Sequence, residues 1–223
     1  MLYTTYTKSK TIYQKELIMI FQDNVIRQYL KNVYFITGTP CGGKTTISKI
    51  LGEKYGIPVY NADEMFPVHQ TKSDKTSQPD MNKIFADADE FFGRTVDEYV
   101  NWLINNTREQ LDFVLLDLIK LSQNGKLICD CHLTPELTEK ITDVSRIAFL
   151  IKEPINIAEE YCARPDNADF RGFLNNASSP EQAKTVCSEA LYRLHIDLYK
   201  NVRNSKWFSI DALKVFQLKY QLK

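Results

Sequence analysis

The run Gly38-Thr39-Pro40-Cys41-Gly42-Gly43-Lys44-Thr45 satisfies the spacing G-x-x-x-x-G-K-[ST] at every fixed position. Its residue types explain one another. Glycines let successive backbone N–H groups converge on an anion without a Cβ in the way. A helix that begins where the run ends then aims its N-terminus at the same anion. In such a loop Lys44 reaches the β and γ phosphates, and the Thr45 hydroxyl is offered to Mg2+. Gly38, Thr39, Cys41, Gly42, Gly43, Lys44, Thr45 and Thr46 are thus the expected nucleotide-binding residues. The ligand expected there is a nucleoside triphosphate, read as ATP, with Mg2+.

A second acid is expected on the metal side, at the end of a neighbouring strand. Two stretches end in Asp after apolar residues, FVLLD at Asp117 and KLICD at Asp130. Leu111, Leu115 and Leu118 continue a helical stripe through the first, which makes Asp117 a polar position on a helix. The second follows Asn124-Gly125 and runs into Cys131-His132 with Pro135 beyond, as a strand enters a loop. Asp130 is therefore the expected metal ligand alongside Thr45, the other reading being a helix cap or loop residue.

The branches of loop-bearing nucleotide proteins differ in their later motifs. Asp169-Phe170-Arg171-Gly172 fits the GTPase DxxG by letter but follows no strand, and Asn82-Lys83-Ile84-Phe85 fails NKxD. No ABC-type signature is present, and the chain is short for an AAA module. What remains resembles the small P-loop kinases, the group of nucleoside monophosphate kinases, shikimate kinase and gluconate kinase. The resemblance rests on TGTPCGGKTTISKILGEKYGIPVYNADEM and on the spacing of the later strands, and covers about two thirds of the chain.

That resemblance implies an α/β fold, the three-layer P-loop NTPase arrangement with a mostly parallel five-stranded sheet. It also implies a helical acceptor-binding insertion after the second strand and a helical lid after the fourth. Residues 61–125 and 152–206 fill those slots in a single domain over 1–223, with 1–31 as a leading helical segment. Asp63 then stands where such kinases place a carboxylate facing the acceptor hydroxyl, as general base or positioner, with Glu64 in reserve. The alternative for both is an acidic residue capping the next turn. Arg94, at the start of a capped helix, corresponds to an acceptor-anion ligand, or is an exposed surface arginine. Arg164, in CARPD, corresponds to the first lid arginine, on adenine or phosphate. Arg171 corresponds to a second that neutralises the transferring phosphoryl group. Two features depart from the group. Asp130 is followed by Cys-His where nucleoside monophosphate kinases have Asp-Gly and shikimate kinases a glycine run, and the lid has no close Arg-x-x-x-Arg pair.

Other chemically capable residues read more plainly. Arg193, with Glu189 and Asp197 at i−4 and i+4, is a helix-surface ion pair. His132 either faces the site or serves the structure; His69 and His195 carry no functional reading. Cys41 is a tolerated small residue, or an oxidation-sensitive thiol favoured by the nearby helix N-terminus.

The elements that must position these groups follow from periodicity and punctuation. Residues 14–31 read as a helix, 33–37 as a buried strand, and Lys44–Tyr55 as a helix stopped by Gly56 and Pro58. PVYN (58–61) is a brief strand, and HQTKSDKTSQPDM (69–81) a polar, mobile surface loop. Thr95-x-x-Glu98 opens a helix with a candidate break at Asn105-Asn106, before a second capping pattern at 107–110. KLICD (126–130), RIAFLI (146–151) and WFSI (207–210) are strands. A helical connection over 152–206 reopens at Ser179-Pro180-Glu181-Gln182 as a capping box. Strands alternating with helices imply a mostly parallel sheet.

Bulk properties narrow the class. Lys plus Arg and Asp plus Glu both number 28, so zero net charge gives no electrostatic case for nucleic acid or an anionic membrane. The apolar runs 17–21 and 113–119 are too short to span a bilayer, and the N-terminus lacks the pattern of a secretory signal. Five cysteines without a CxxC pair suit buried free thiols in a reducing cytoplasm. The expectation is a cytoplasmic, ATP- and Mg2+-dependent phosphotransferase with a small hydroxyl- or phosphate-bearing acceptor, its oligomeric state open. The alternative is an ATP-binding sensor or regulatory module without kinase activity.

Overall fold

Residues 22–211, other than Asn156 and Lys206, are described by a computed structural model. Its centre is β1 (Val33–Gly38), apolar on both faces because it is covered on both. β1 pairs in parallel with β3 (Leu127–Asp130) on one side and β4 (Ile147–Ile151) on the other. β2 (Val59–Asn61) and β5 (Ser209–Asp211) add the edges, giving five parallel strands in the order β2-β3-β1-β4-β5. The parallel five-stranded α/β sheet is thus as expected.

Period-two alternation sorts the side chains into two layers. Val33, Phe35, Leu127, Cys129, Ile147, Phe149 and Ile151 pack on one face with residues of α5 (Val96–Leu121) and α9 (Pro180–Arg203). Ile36, Ile128 and Leu150 point the other way, onto Ile47 and Leu51 of α2 (Lys44–Tyr55). Cys129 and Cys131 share the first face and are buried free thiols, as their two-residue spacing predicts. A separate core joins α4 (Ala88–Phe92) and the start of α5 to α7 (Ile157–Ala163), α8 (Ala168–Asn175) and α9.

Several local signals hold. Gly56 ends α2 in the left-handed conformation, and Thr95 and Glu98 form a reciprocal capping box at the start of α5. Of the leading helix, Asp23–Tyr29 is α1, and 14–21 lies outside the described residues. Arg27 of α1 donates to the carbonyls of Glu139 (2.6 Å) and Lys140 (3.3 Å) at the end of α6 (Pro135–Ile141), which docks the helix.

Three expectations are corrected. The 69–81 segment is not simply a surface loop: His69 to Lys72 finish α3 (Ala62–Lys72), and His69 and Met81 are buried. The Glu109 carboxylate accepts from the Asp80 and Met81 amides at 3.1 and 2.7 Å and pins the segment to α5. α5 does not break at Asn105-Asn106. There Thr107 bonds back to the Leu103 carbonyl at 2.9 Å instead of capping a new helix, and Asn106 reaches the Asp80 carbonyl. Ser179 precedes Pro180 at the helix start but forms no capping box. The preceding turn is held by Asp89, whose carboxylate accepts from the Ser178 amide (2.7 Å) and hydroxyl (2.5 Å).

Candidate functional site

The phosphate loop links the C-terminal end of β1 to α2. Its glycines are required by close approach as well as by an open path for an anion. A Cβ on either Gly38 or Gly42 would collide with the Leu150 carbonyl of β4. Gly38 and Gly43 hold φ of +128° and +92°, where side chains are disfavoured. The loop is laced to β4 by the Thr39 amide on the Leu150 carbonyl (3.1 Å). The buried Thr39 hydroxyl donates to the Lys152 carbonyl (3.0 Å) and accepts from the Lys152 amide (2.7 Å). Thr37 makes the same reciprocal pair with Leu133, joining β1 to the chain beyond β3.

Lys44 rests its ammonium on the Thr39 carbonyl at 3.1 Å and the Gly38 carbonyl at 3.5 Å. It lines a cavity of about 340 Å³ with Cys41, Gly43, Thr45, Thr46, Glu160 and Arg164. Asp130 ends β3 on the α2 face of the sheet. Asp130 is 4% exposed, its carboxylate faces the Thr45 hydroxyl, and its Oδ2 is buried without a partner. Burial raises the Asp130 pKa; the Thr45 hydroxyl and Lys44 oppose this, and the charges of Asp63 and Glu64 add to it. An unsatisfied buried carboxylate oxygen beside a hydroxyl is a donor set that fits a hard divalent cation.

Asp63 and Glu64 occupy the exposed first turn of α3, and the cap is Asn61, whose side chain accepts from both amides at 2.9 and 3.3 Å. The capping alternative for the two acids therefore fails. Their carboxylates are left free and near enough to Asp130 to act on it. A buried network bolts this turn in place. The Asp117 carboxylate accepts from Tyr60 (3.2 Å) and contacts His69 Nε2 (3.0 Å), while Gln110 donates to the Ala62 carbonyl (2.7 Å). Asp117 is a helix position, as its periodicity predicts, and its partners stand on β2 and α3.

The arginines divide. Arg164 lines the cavity and forms an ion pair with Asp166. Arg171 is not brought there: its guanidinium donates to the carbonyls of Cys162 and Arg164 and closes the end of α7. Arg94 is not an acceptor-facing group either. Its guanidinium sits among the rings of Phe85, Phe91, Tyr99 and Trp102 at 4.4 to 4.8 Å, with Nη1 and Nη2 buried and unpartnered. Arg193 pairs with Glu189 as expected, but its second partner is Asp97 of α5, across the interface, rather than Asp197.

His132 packs edge-on to His195, ring centroids 5.2 Å apart, beside the Gly38 backbone. Desolvation, then the Lys44 charge, pushes its pKa down to about 4, so it is neutral at physiological pH. Cys41 adopts the left-handed conformation at φ 58°. Burial raises its thiol pKa despite the cations around it, so an activated thiolate is not what the loop provides.

A family model described as an AAA domain matches residues 35–173. The chain belongs to this AAA-domain family. Chain length was thus no ground for setting that branch aside, and the match spans the phosphate loop, Asp130 and Arg164. No curated protein matches the chain significantly. Among solved structures, a shikimate kinase from Acinetobacter baumannii in complex with shikimate is 16% identical, covering 90% of this chain and 98% of its own, at a TM-score of 0.41. The TT1252 protein of Thermus thermophilus is 14% identical, covering 85% and 95% of the two chains, at 0.43. No helix among the described residues is long and apolar enough to cross a membrane.

Sequence reasoning missed Glu160, which lines the cavity, and Lys152, which pairs with it. Lys152 directly follows β4, and the C-terminal ends of parallel strands are where such folds bind ligands. Glu160 stands four residues before Arg164, the spacing of one helical face. Both signals were present, but weak.

Proposed function

We propose that the protein is an ATP- and Mg2+-dependent phosphotransferase that moves the γ-phosphoryl group of ATP to a small hydroxyl- or phosphate-bearing acceptor. The observation that carries this reading is the convergence on one loop of Lys44, Thr45, the orphaned oxygen of Asp130 and the free carboxylates of Asp63 and Glu64. Thr45 and Asp130 would hold Mg2+, which when bound neutralises phosphate charge and fixes its orientation.

The loop amides and the N-terminus of α2 cradle the triphosphate. Lys44 exchanges the Gly38 and Thr39 carbonyls for phosphate oxygens, and Arg164 adds charge from the lid side. An acceptor oxygen attacks the γ-phosphorus as the bond to the β-phosphate oxygen breaks, and ADP leaves. With a hydroxyl acceptor, its proton passes to Asp63 or to solvent. Residues 61–125 form the acceptor side and 152–206 the lid, whose closure excludes water and limits hydrolysis.

The test is acceptor-dependent ADP release over a panel of small alcohols, sugars and phosphate monoesters. Wild type is expected to show turnover with at least one acceptor class, and Lys44→Ala to lose it by about a hundredfold or more while staying folded. Full turnover in a folded Lys44→Ala protein refutes the proposal. So does tight ATP binding with no transfer to any acceptor, the behaviour of a regulatory module.

A further inference from the structure

The cavity beside the phosphate loop contains a group that a polyphosphate site would not be expected to display. Glu160 of α7 lines it together with Cys41, Lys44, Thr45 and Arg164. A carboxylate there repels a triphosphate unless another group accounts for it. Its partner is Lys152, whose ammonium pairs with the Glu160 carboxylate. Neither side chain is sealed: they are 35% and 39% exposed, so the pair is a surface-like one that can open.

Lys152 is placed with unusual definition for a half-exposed lysine. Its amide and carbonyl are both held by the hydroxyl of Thr39, a loop residue, at 2.7 and 3.0 Å. The base of the side chain is therefore fixed relative to the loop, and only the flexible stem and ammonium are free to choose a partner. Lys44, Arg164 and Glu160 line the cavity with Cys41, and the charges of all three and of Lys152 act on the Cys41 thiol, so three cations and one carboxylate surround this part of the loop.

We propose that Lys152 is a further phosphate-binding cation of this site and that Glu160 gates it. Without nucleotide, Glu160 holds Lys152 and keeps the cavity charge low. A triphosphate binds by taking the Lys152 ammonium from Glu160, so part of its binding energy goes into opening that pair. The inference rests on the cavity being a triphosphate site. It goes beyond that reading by naming a charge competitor that sets affinity and favours ligands with more phosphate charge.

The experiment measures dissociation constants of Mg·ATP and of AMP for the full chain and for Glu160→Gln, Lys152→Met, the double variant and Glu159→Gln, an exposed neighbour on α7. Melting temperature is followed for each variant. Glu160→Gln is expected to tighten Mg·ATP about fivefold and Lys152→Met to weaken it by a similar factor, with smaller effects on AMP. On the Lys152→Met background the Glu160→Gln gain should shrink to about twofold or less, because no cation remains to be released. An equal gain on both backgrounds, no gain at all, or an equal gain from Glu159→Gln overturns the gate. Wild-type protein that binds no Mg·ATP overturns the nucleotide reading itself, which separates the two failures.

Discussion

Asp130→Asn is expected to make the nucleotide-free protein more stable while destroying its response to Mg·ATP. Wild-type Asp130 is 4% exposed, has one unpartnered carboxylate oxygen, and lies within electrostatic reach of Asp63 and Glu64. Its folded pKa is raised, chiefly by burial, above the unfolded value of 3.8. The folded state therefore holds this proton more tightly. The stability linked to that proton is fully present below the unfolded value and is lost as pH rises through the folded one.

Asparagine keeps an oxygen for the Thr45 hydroxyl, removes the charge, and offers donors toward the other two acids. Leaving a buried polar group unpaired costs about 1–3 kcal/mol, so the variant should gain a similar amount near neutral pH. For a chain of this size that is a rise of roughly 2–12 °C in melting temperature. The assay is thermal unfolding from about pH 4 to pH 8, with and without Mg·ATP. The gain should fade toward the acid end, where wild type is protonated as well. Saturating Mg·ATP, worth about 2.7 kcal/mol at a hundred times the dissociation constant, should shift wild type and leave the variant nearly unmoved. A variant no more stable than wild type, or one that keeps the full Mg·ATP shift, would refute the assignment of the orphaned oxygen to the metal.

Two further outcomes follow from the geometry. Gly38→Ala should cost about 2–6 kcal/mol, combining backbone strain with collision against the Leu150 carbonyl. Gly56→Ala, also at positive φ but with nothing within 4 Å of the added carbon, should cost only about 1–2 kcal/mol by denaturant unfolding; equal losses would show that close approach is not what the loop glycine serves. Arg94→Ala should destabilise by about 2–4 kcal/mol through loss of the cation–π box, yet leave the Mg·ATP dissociation constant unchanged. A weakened dissociation constant at unchanged stability would return Arg94 to the site.

What could be read from the chain was whatever depends on neighbours a few residues away. Gly38 to Thr45 specify the phosphate loop, because an anion cradle needs small residues in an unbroken run with a lysine and a hydroxyl after them. The alternation in β1, β3 and β4 assigns each strand two buried faces, and the Thr95 and Glu98 capping box starts α5 where its letters say. Asp130 was separated from Asp117 by the helical stripe through one and the Asn-Gly stop before the other, and the two lie on a strand and a helix accordingly.

What the tertiary structure decided was the partner of each long polar side chain. The sequence made Arg94, Arg164 and Arg171 all candidates for the site, and packing sent one into an aromatic box, one to the cavity and one to the end of α7. It likewise gave Asp117 the partners Tyr60 and His69, which lie 57 and 48 residues away in sequence, and set Glu160 and Lys152 beside the phosphate loop. Side chains with several rotatable bonds can reach many partners, and which one they meet is settled only when distant segments are brought within a few ångströms.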